Sequence, residues 1–448
     1  MVTVQEAAAS FARARVDAGN SEAAQWPEHE QRRGWRWQVA LVVCLLGFWD
    51  GFPFSIFGAS MVFSYQLYSA IVFAGFILYI VRALIPTLAV GWWEGVSLLL
   101  FCWCVLVSFH WSVFVQPQPL LAWLPAIFTV GPVLTIFLLK AVGATRRDAE
   151  SGLYYAGAFG SLLVAVHVAL GLHFLDNYAR GSAFTEGRIV FFKLQAVFGL
   201  MVGLMRTAQA RHPLNTLAHA FASVLMCYNV FVLTESRQLI LAVFLALVPI
   251  WAFALRGQTR IIIGMVAPFI VIPLGIYAVN KYLPNFSSMS DYLGQDISTQ
   301  YRVIEDQHFH HVFDLSSGMG FGFMSGDPKY NNVLTFASQS AGFLYGTGKY
   351  GVGLVDIGLV SALYQFGYIG FLLVVGMTLT CVIRLVTATR FGQDYASTSA
   401  LGYMMAALML NPIAVNYYTL FYSAHIGALL WFIASQVRAE QALAVKAT

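Results

Sequence analysis

A chain of 448 residues with 59% hydrophobic and only 10% charged positions lacks the polar surface of a soluble domain, where about 25% of residues are charged. That composition excludes a soluble fold and reads as a polytopic membrane protein. The formal net charge of +4 says little by itself; its placement along the chain says more.

Residues 1–37 hold Arg13, Arg15, Arg32, Arg33 and Arg36 but no apolar h-region. They read as a cytoplasmic segment and not as a cleavable signal peptide. A helix needs about 20 apolar residues to cross the hydrocarbon core. Runs of that length predict about 12 spans, near 38–59, 62–82, 95–114, 120–140, 152–172, 188–206, 214–233, 238–255, 260–280, 357–382, 397–415 and 419–436. Asp50, Gly51 and Pro53 interrupt the first, which reads as broken or re-entrant. The domain plan is thus 38–280 for spans 1–9, 281–355 for one large polar loop, 356–437 for spans 10–12 and 438–448 for a tail. The fold class expected is an all-α integral membrane protein.

Orientation follows from the basic hinges. With the N-terminus inside, the inside hinges hold Arg82; Lys140, Arg146 and Arg147; Arg206 and Arg211; Arg256 and Arg260; Arg384 and Arg390; and Arg438 with Lys446. Segments 112–119, 173–187, 234–237 and 281–355 then lie outside. Against the positive-inside tendency, that side also carries Arg180, Arg188, Arg237 and Arg302. One arginine at a span's edge anchors the helix by snorkelling. Several together on the outer face point to an anionic ligand, and guanidinium suits phosphate oxygens bidentately.

The cysteines (Cys44, Cys102, Cys104, Cys227, Cys381) all fall in apolar runs without a Cys-x-x-Cys pair, so neither a disulfide framework nor a thiolate metal site is expected. Cys102 and Cys104 face different ways on a helix. His308 and His311 share a spacing that serves one ligand, but a third ligand is not evident and no His-Glu-x-x-His occurs. No metal is expected. His167, His173, His212, His219 and His425 read as packing or interface residues. Trp35, Trp37, Trp92, Trp93 and Trp111 fit an interfacial belt.

In the polar stretch, residues 301–308 read as a short amphipathic helix leading into Gly318-Met319-Gly320-Phe321-Gly322. A Gly/Ser/Asn/Tyr-rich loop follows, then Asp356-Ile357-Gly358-Leu359 and Gln365-Phe366-Gly367-Tyr368-Ile369-Gly370. At these residues the chain resembles the bacterial O-antigen ligase and Wzy-type polysaccharide polymerase superfamily, in order and spacing. Thr234-Glu235-Ser236-Arg237 is similar to the family's Ser-Arg motif at a span entrance. Arg302 with Gly320-x-Gly322 is similar to the arginine and Gly-x-Gly of the large periplasmic loop. Asp356 and Leu359, ahead of Gly367-x-x-Gly370, stand where ligases carry His-Asn-x-x-Leu. The aspartate in place of histidine resembles the polymerase branches.

The resemblance implies a GT-C-like membrane fold with one large periplasmic loop between spans 9 and 10, in the bacterial inner membrane with both termini cytoplasmic. It implies a glycosyltransferase that polymerises polyprenyl-diphosphate-linked oligosaccharide repeat units into exopolysaccharide or O-antigen, inverting and metal-independent, with no cofactor. Its partners would be the lipid-linked oligosaccharide, the growing polysaccharide, the bilayer and a chain-length regulator, with no nucleic acid. Arg188, Arg237 and Arg302 would neutralise the leaving diphosphate, and Asp356 would be the base at the acceptor hydroxyl. Asp356 is equally suited to cap the following helix. Glu235, Glu305, His308, His311, Gly320 and Gly322 are candidate acceptor or sugar contacts. The alternatives are a ligase passing glycan to lipid A core and, from another class, a lipid-linked oligosaccharide flippase. A flippase calls for inverted repeats and charges along a central cavity, and no repeat is visible.

Overall fold

The computed structural model describes residues 39–43, 61–83, 91–121, 123, 128–171, 192–233, 237–254, 265, 297–322, 336–338, 343–345, 360–387, 396–409 and 427–437. Helices dominate: α1 (Met61–Ala83), α2 (Trp92–His110), α3 (Thr135–Ala141), α4 (Arg146–Leu170), α5 (Lys193–Gln209), α6 (Pro213–Tyr228), α7 (Arg237–Ala254), α8 (Ile297–Leu315), α9 (Val360–Thr387), α10 (Ala396–Met409) and α11 (Gly427–Val437). Four helical stretches among the described residues are long and apolar enough to cross a membrane: Trp92–Val115, Arg146–Leu170, Pro213–Val232 and Val360–Thr387. Their outward faces are greasy. On α6, Leu214, Leu217, Phe221 and Val224 are each more than 60% exposed, as membrane association requires and water would penalise.

Local sequence sets several helix ends. Thr145 and Asp148 form a capping box at the start of α4: Asp148 N donates to Thr145 Oγ1 at 3.3 Å, and Thr145 N donates to Asp148 Oδ2 at 2.8 Å. Gly171, left-handed at φ 59°, ends the same helix. Pro213 opens α6, where its missing N–H costs nothing. Both α2 and α6 end in a wider π-turn, at Trp111–Val115 and Asn229–Leu233.

The span expected at 120–140 is not one regular helix. A 3₁₀ segment, Phe128–Leu134, precedes the short α3. Pro132 lies inside it and can donate no backbone hydrogen bond. Thr135 Oγ1 donates to Pro132 O at 2.7 Å, so Tyr68 Oη, 2.7 Å from the same hydroxyl, is the donor to it. The helix expected at 301–308 is longer, filling Ile297–Leu315. The polar stretch also holds one short antiparallel pair beside the helices, β1 (Phe336–Ser338) with β2 (Phe343–Tyr345), Ala337 opposite Leu344. These short runs are rich in aromatic side chains, which suit a strand. The break expected at Asp50–Pro53 lies outside the described residues, as does all of the ninth expected span but Met265.

The core runs through the bundle, α4 packing along α5 and α7 along α10. One end gathers four described basic residues of the expected hinges, Arg82, Lys140, Arg206 and Arg384. Lys140 Nζ meets the buried Glu94 carboxylate at 2.5 Å, and Arg82 donates to Ala141 O. The Arg384 guanidinium lies 3.9 Å over the Trp431 ring, which stacks on Trp93 at 4.5 Å. Arg206 donates to Ser151 Oγ at 2.7 Å and lies over Tyr154, whose hydroxyl meets His219 Nδ1 at 2.8 Å. His219 thus packs as expected. Trp93 and Trp111, by contrast, are core residues, 2% and 3% exposed, whereas Trp92 is 51% exposed. Cys102 is exposed and Cys104 buried, on different sides of α2.

Candidate functional site

At the end of the bundle away from those basic contacts, α8 and the loop after it dock on the first turns of α9 and the last of α2. The centre of the arrangement is a break in α9 at Gly367, where φ is 67° and ψ −174°. Breaking a helix strands backbone groups that an apolar surrounding would penalise, and four of them have a specific replacement here. Tyr364 O accepts from Phe321 N at 3.2 Å, and Gln365 O accepts from Gly322 N at 2.6 Å. Phe366 O accepts from the indole N–H of Trp103 on α2 at 2.7 Å. Tyr368 N donates to Gly318 O at 3.4 Å.

The two glycine motifs are therefore halves of one joint. A Cβ on Gly367 would stand 2.5 Å from the carbonyl oxygens of Gly318 and Met319, and one on Gly320 would stand 2.5 Å from Gln365 O. One on Gly322 would strike the backbone of Ser108. Gly320 and Gly322 also have positive φ, 84° and 64°, which L side chains disfavour. Ser316 Oγ accepts from Gly320 N at 3.0 Å and steadies the turn.

Around the joint lies a second, smaller core of Trp111, Phe309, Val312, Phe313, Phe321 and Tyr364. Phe321 stacks on Phe309 with centroids 5.8 Å apart and meets Trp111 edge-on at 6.3 Å. This apolar face holds α8 by its Phe309-Val312-Phe313 side, three and four residues apart. At its edge Tyr364 Oη donates to Asp306 Oδ1 at 2.7 Å.

On this frame, Arg302 and Glu305 stand on α8, and Arg237 is the first residue of α7. Gly320 and Gly322 belong to the joint. His308 is half-buried on α8 and His311 exposed. The exposed His310 Nε2 stands 3.8 Å from Asp314 Oδ2, an exposed pair of little energetic weight. Arg188, Glu235 and Asp356, and the side chains of Arg237, Arg302 and Glu305, lie outside the described residues. Among the described residues no three His, Cys, Asp or Glu side chains gather as a metal site.

Sequence reasoning found both glycine motifs but not their contact, and it did not single out Tyr364 or Trp103. One signal was present: tyrosine and tryptophan each carry a polar tip that seeks a partner when buried. Compared with protein-family models and with curated proteins, the chain matches none.

Proposed function

We propose that the chain is an inner-membrane glycosyltransferase that polymerises polyprenyl-diphosphate-linked oligosaccharide repeat units. In this reading it crosses the bilayer about 12 times with both termini in the cytoplasm, and the α8–α9 joint faces the periplasm. The acceptor hydroxyl attacks the anomeric carbon of the donor sugar. The bond from that carbon to the diphosphate oxygen breaks, and the diphosphate leaves on its polyprenyl chain. Asp356 takes the hydroxyl proton, and Arg188, Arg237 and Arg302 hold the charge that gathers on the leaving group.

The observation that carries the reading is the joint itself. Gly320-x-Gly322 and Gly367-x-x-Gly370, two pieces on which the family resemblance rests, lock into one structure. Such a joint ties the helix bearing Arg302 to the helix that follows Asp356, as a site assembled from both requires. The direct test is turnover of purified full-length protein supplied with lipid-linked repeat units. Arg237→Ala and Arg302→Ala should each abolish chain growth while the protein stays monodisperse. Lysine at either position should rescue poorly, because a point charge cannot copy the guanidinium fork. Normal chain growth by both alanine variants would remove diphosphate binding as their role.

A further inference from the structure

The bond between α8 and α9 at Tyr364 and Asp306 lies outside every residue assigned above. The phenol is 3% exposed and packed at 5.7 Å against the ring of Phe313, while Asp306 is half-buried. An O–H donor on a carboxylate is among the stronger and more directional hydrogen bonds. Asp306 stands four residues, about one turn, beyond Arg302 along α8.

Two attachments fix a rod where one leaves it free to swing. The glycine joint holds α8 only near its C-terminal end, by way of residues 318–322. The apolar contacts of Phe309, Val312 and Phe313 set depth but have little direction. Arg302 lies 13 residues before the end of the helix at Leu315, about 20 Å along the axis. A swing of about 10° about that end would displace its backbone by roughly 3 Å, and a misplacement of about 1 Å can cost on the order of 10²-fold in function. Tyr364, anchored in the second core, grips α8 within one turn of Arg302 and removes this freedom.

We infer that Tyr364 and Asp306 are positioning residues for a polyprenyl-diphosphate site, acting through Arg302 by fixing the angle of α8. The inference rests on the reading of Arg302 as a diphosphate ligand. Asp306 acts as a hydrogen-bond acceptor in this role and not as a charge or a base. The two roles separate by substitution, because asparagine keeps an oxygen for the phenol and loses the charge.

The test uses the purified full-length protein in detergent with geranylgeranyl diphosphate as the probe, its affinity read by calorimetry. Arg302→Ala should weaken binding at least tenfold, and Tyr364→Phe about tenfold with elution profile and melting temperature close to the parent. Asp306→Asn should stay within about threefold of the parent, whereas Asp306→Ala should match Tyr364→Phe. The double variant Tyr364→Phe/Arg302→Ala should bind no more weakly than Arg302→Ala alone, since both changes act on one contact. Parent-like binding by Tyr364→Phe, additive losses in the double variant, or equal losses for asparagine and alanine at 306 would each overturn the positioning role. If Arg302→Ala binds like the parent, the diphosphate reading of Arg302 fails and the inference with it. Loss in Arg302→Ala beside full binding in Tyr364→Phe removes the inference alone.

Discussion

Replacing Gly367 by alanine acts on the docked and undocked forms of the α8–α9 joint in opposite directions. In the docked form position 367 keeps φ 67° and ψ −174°, a region that only glycine visits freely, at a strain of about 1–3 kcal/mol for other residues. The new methyl also stands 2.5 Å from two backbone oxygens, which raises that strain unless the loop retreats. In the undocked form α9 closes into a regular helix, where alanine is better than glycine by about 1 kcal/mol. The docking equilibrium therefore weakens by about 2–4 kcal/mol, or roughly 30- to 1000-fold at 1.36 kcal/mol per decade. Hydrogen–deuterium exchange on the detergent-purified protein reads this directly. The amides of Phe321 and Gly322, which bond to Tyr364 O and Gln365 O, should exchange faster by that factor, while the amides of α4 and α5 keep their rates. Gly376→Ala is the control, on the same helix with nothing within 4 Å of the added carbon; it should leave these amides unchanged. Equal protection of Phe321 and Gly322 in Gly367→Ala and the parent would refute the accounting of the break.

Three further outcomes are expected. Lys140→Ala leaves the buried Glu94 carboxylate without its partner at a cost of about 3–5 kcal/mol; the melting temperature should drop by several degrees, and adding Glu94→Gln should recover part of the loss. Asp356→Asn keeps helix-capping ability but removes basicity, so turnover should fall by about 10²–10⁴-fold if the residue is the base, and near-normal turnover would end that role. Reporter fusions after Ser316 should read periplasmic and fusions after Arg147, Arg260 and Arg390 cytoplasmic; a cytoplasmic signal after Ser316 would remove the proposed site.

The helices were legible where composition alone decides them. α1, α2, α4, α6, α7 and α9 begin and end within six residues of the expected spans, because twenty apolar residues in a row have few other fates. What failed to show was pairing. Pro132 marks a break, but only the Tyr68–Thr135–Pro132 chain of hydroxyls explains how the break is tolerated. Trp93 and Trp111 sit at span ends, where an interfacial belt is the natural reading, yet each is covered by a neighbour hundreds of residues away, Trp431 and Phe321. Periodicity reports which residues are apolar, and it cannot report which partner covers them. The candidate site was legible as a set of motifs for the same reason. That two of those motifs interlock, with Tyr364 and Trp103 supplying the polar contacts around them, depends on separations no local pattern encodes.

The Trp103 indole also has a bearing on how the protein is made. Its acceptor, Phe366 O, lies 263 residues further along the chain, which a ribosome adding about 5–20 residues per second needs roughly 13 to 50 s to reach. Over that interval α2 is already synthesised, while the carbonyl for its indole N–H and the ring of Trp431 for Trp93 do not yet exist. α2 thus waits for the last third of the chain before its packing is complete. A chaperone or insertase that shields one flank of α2 during synthesis would be guarding the surface later covered by α9 and α11.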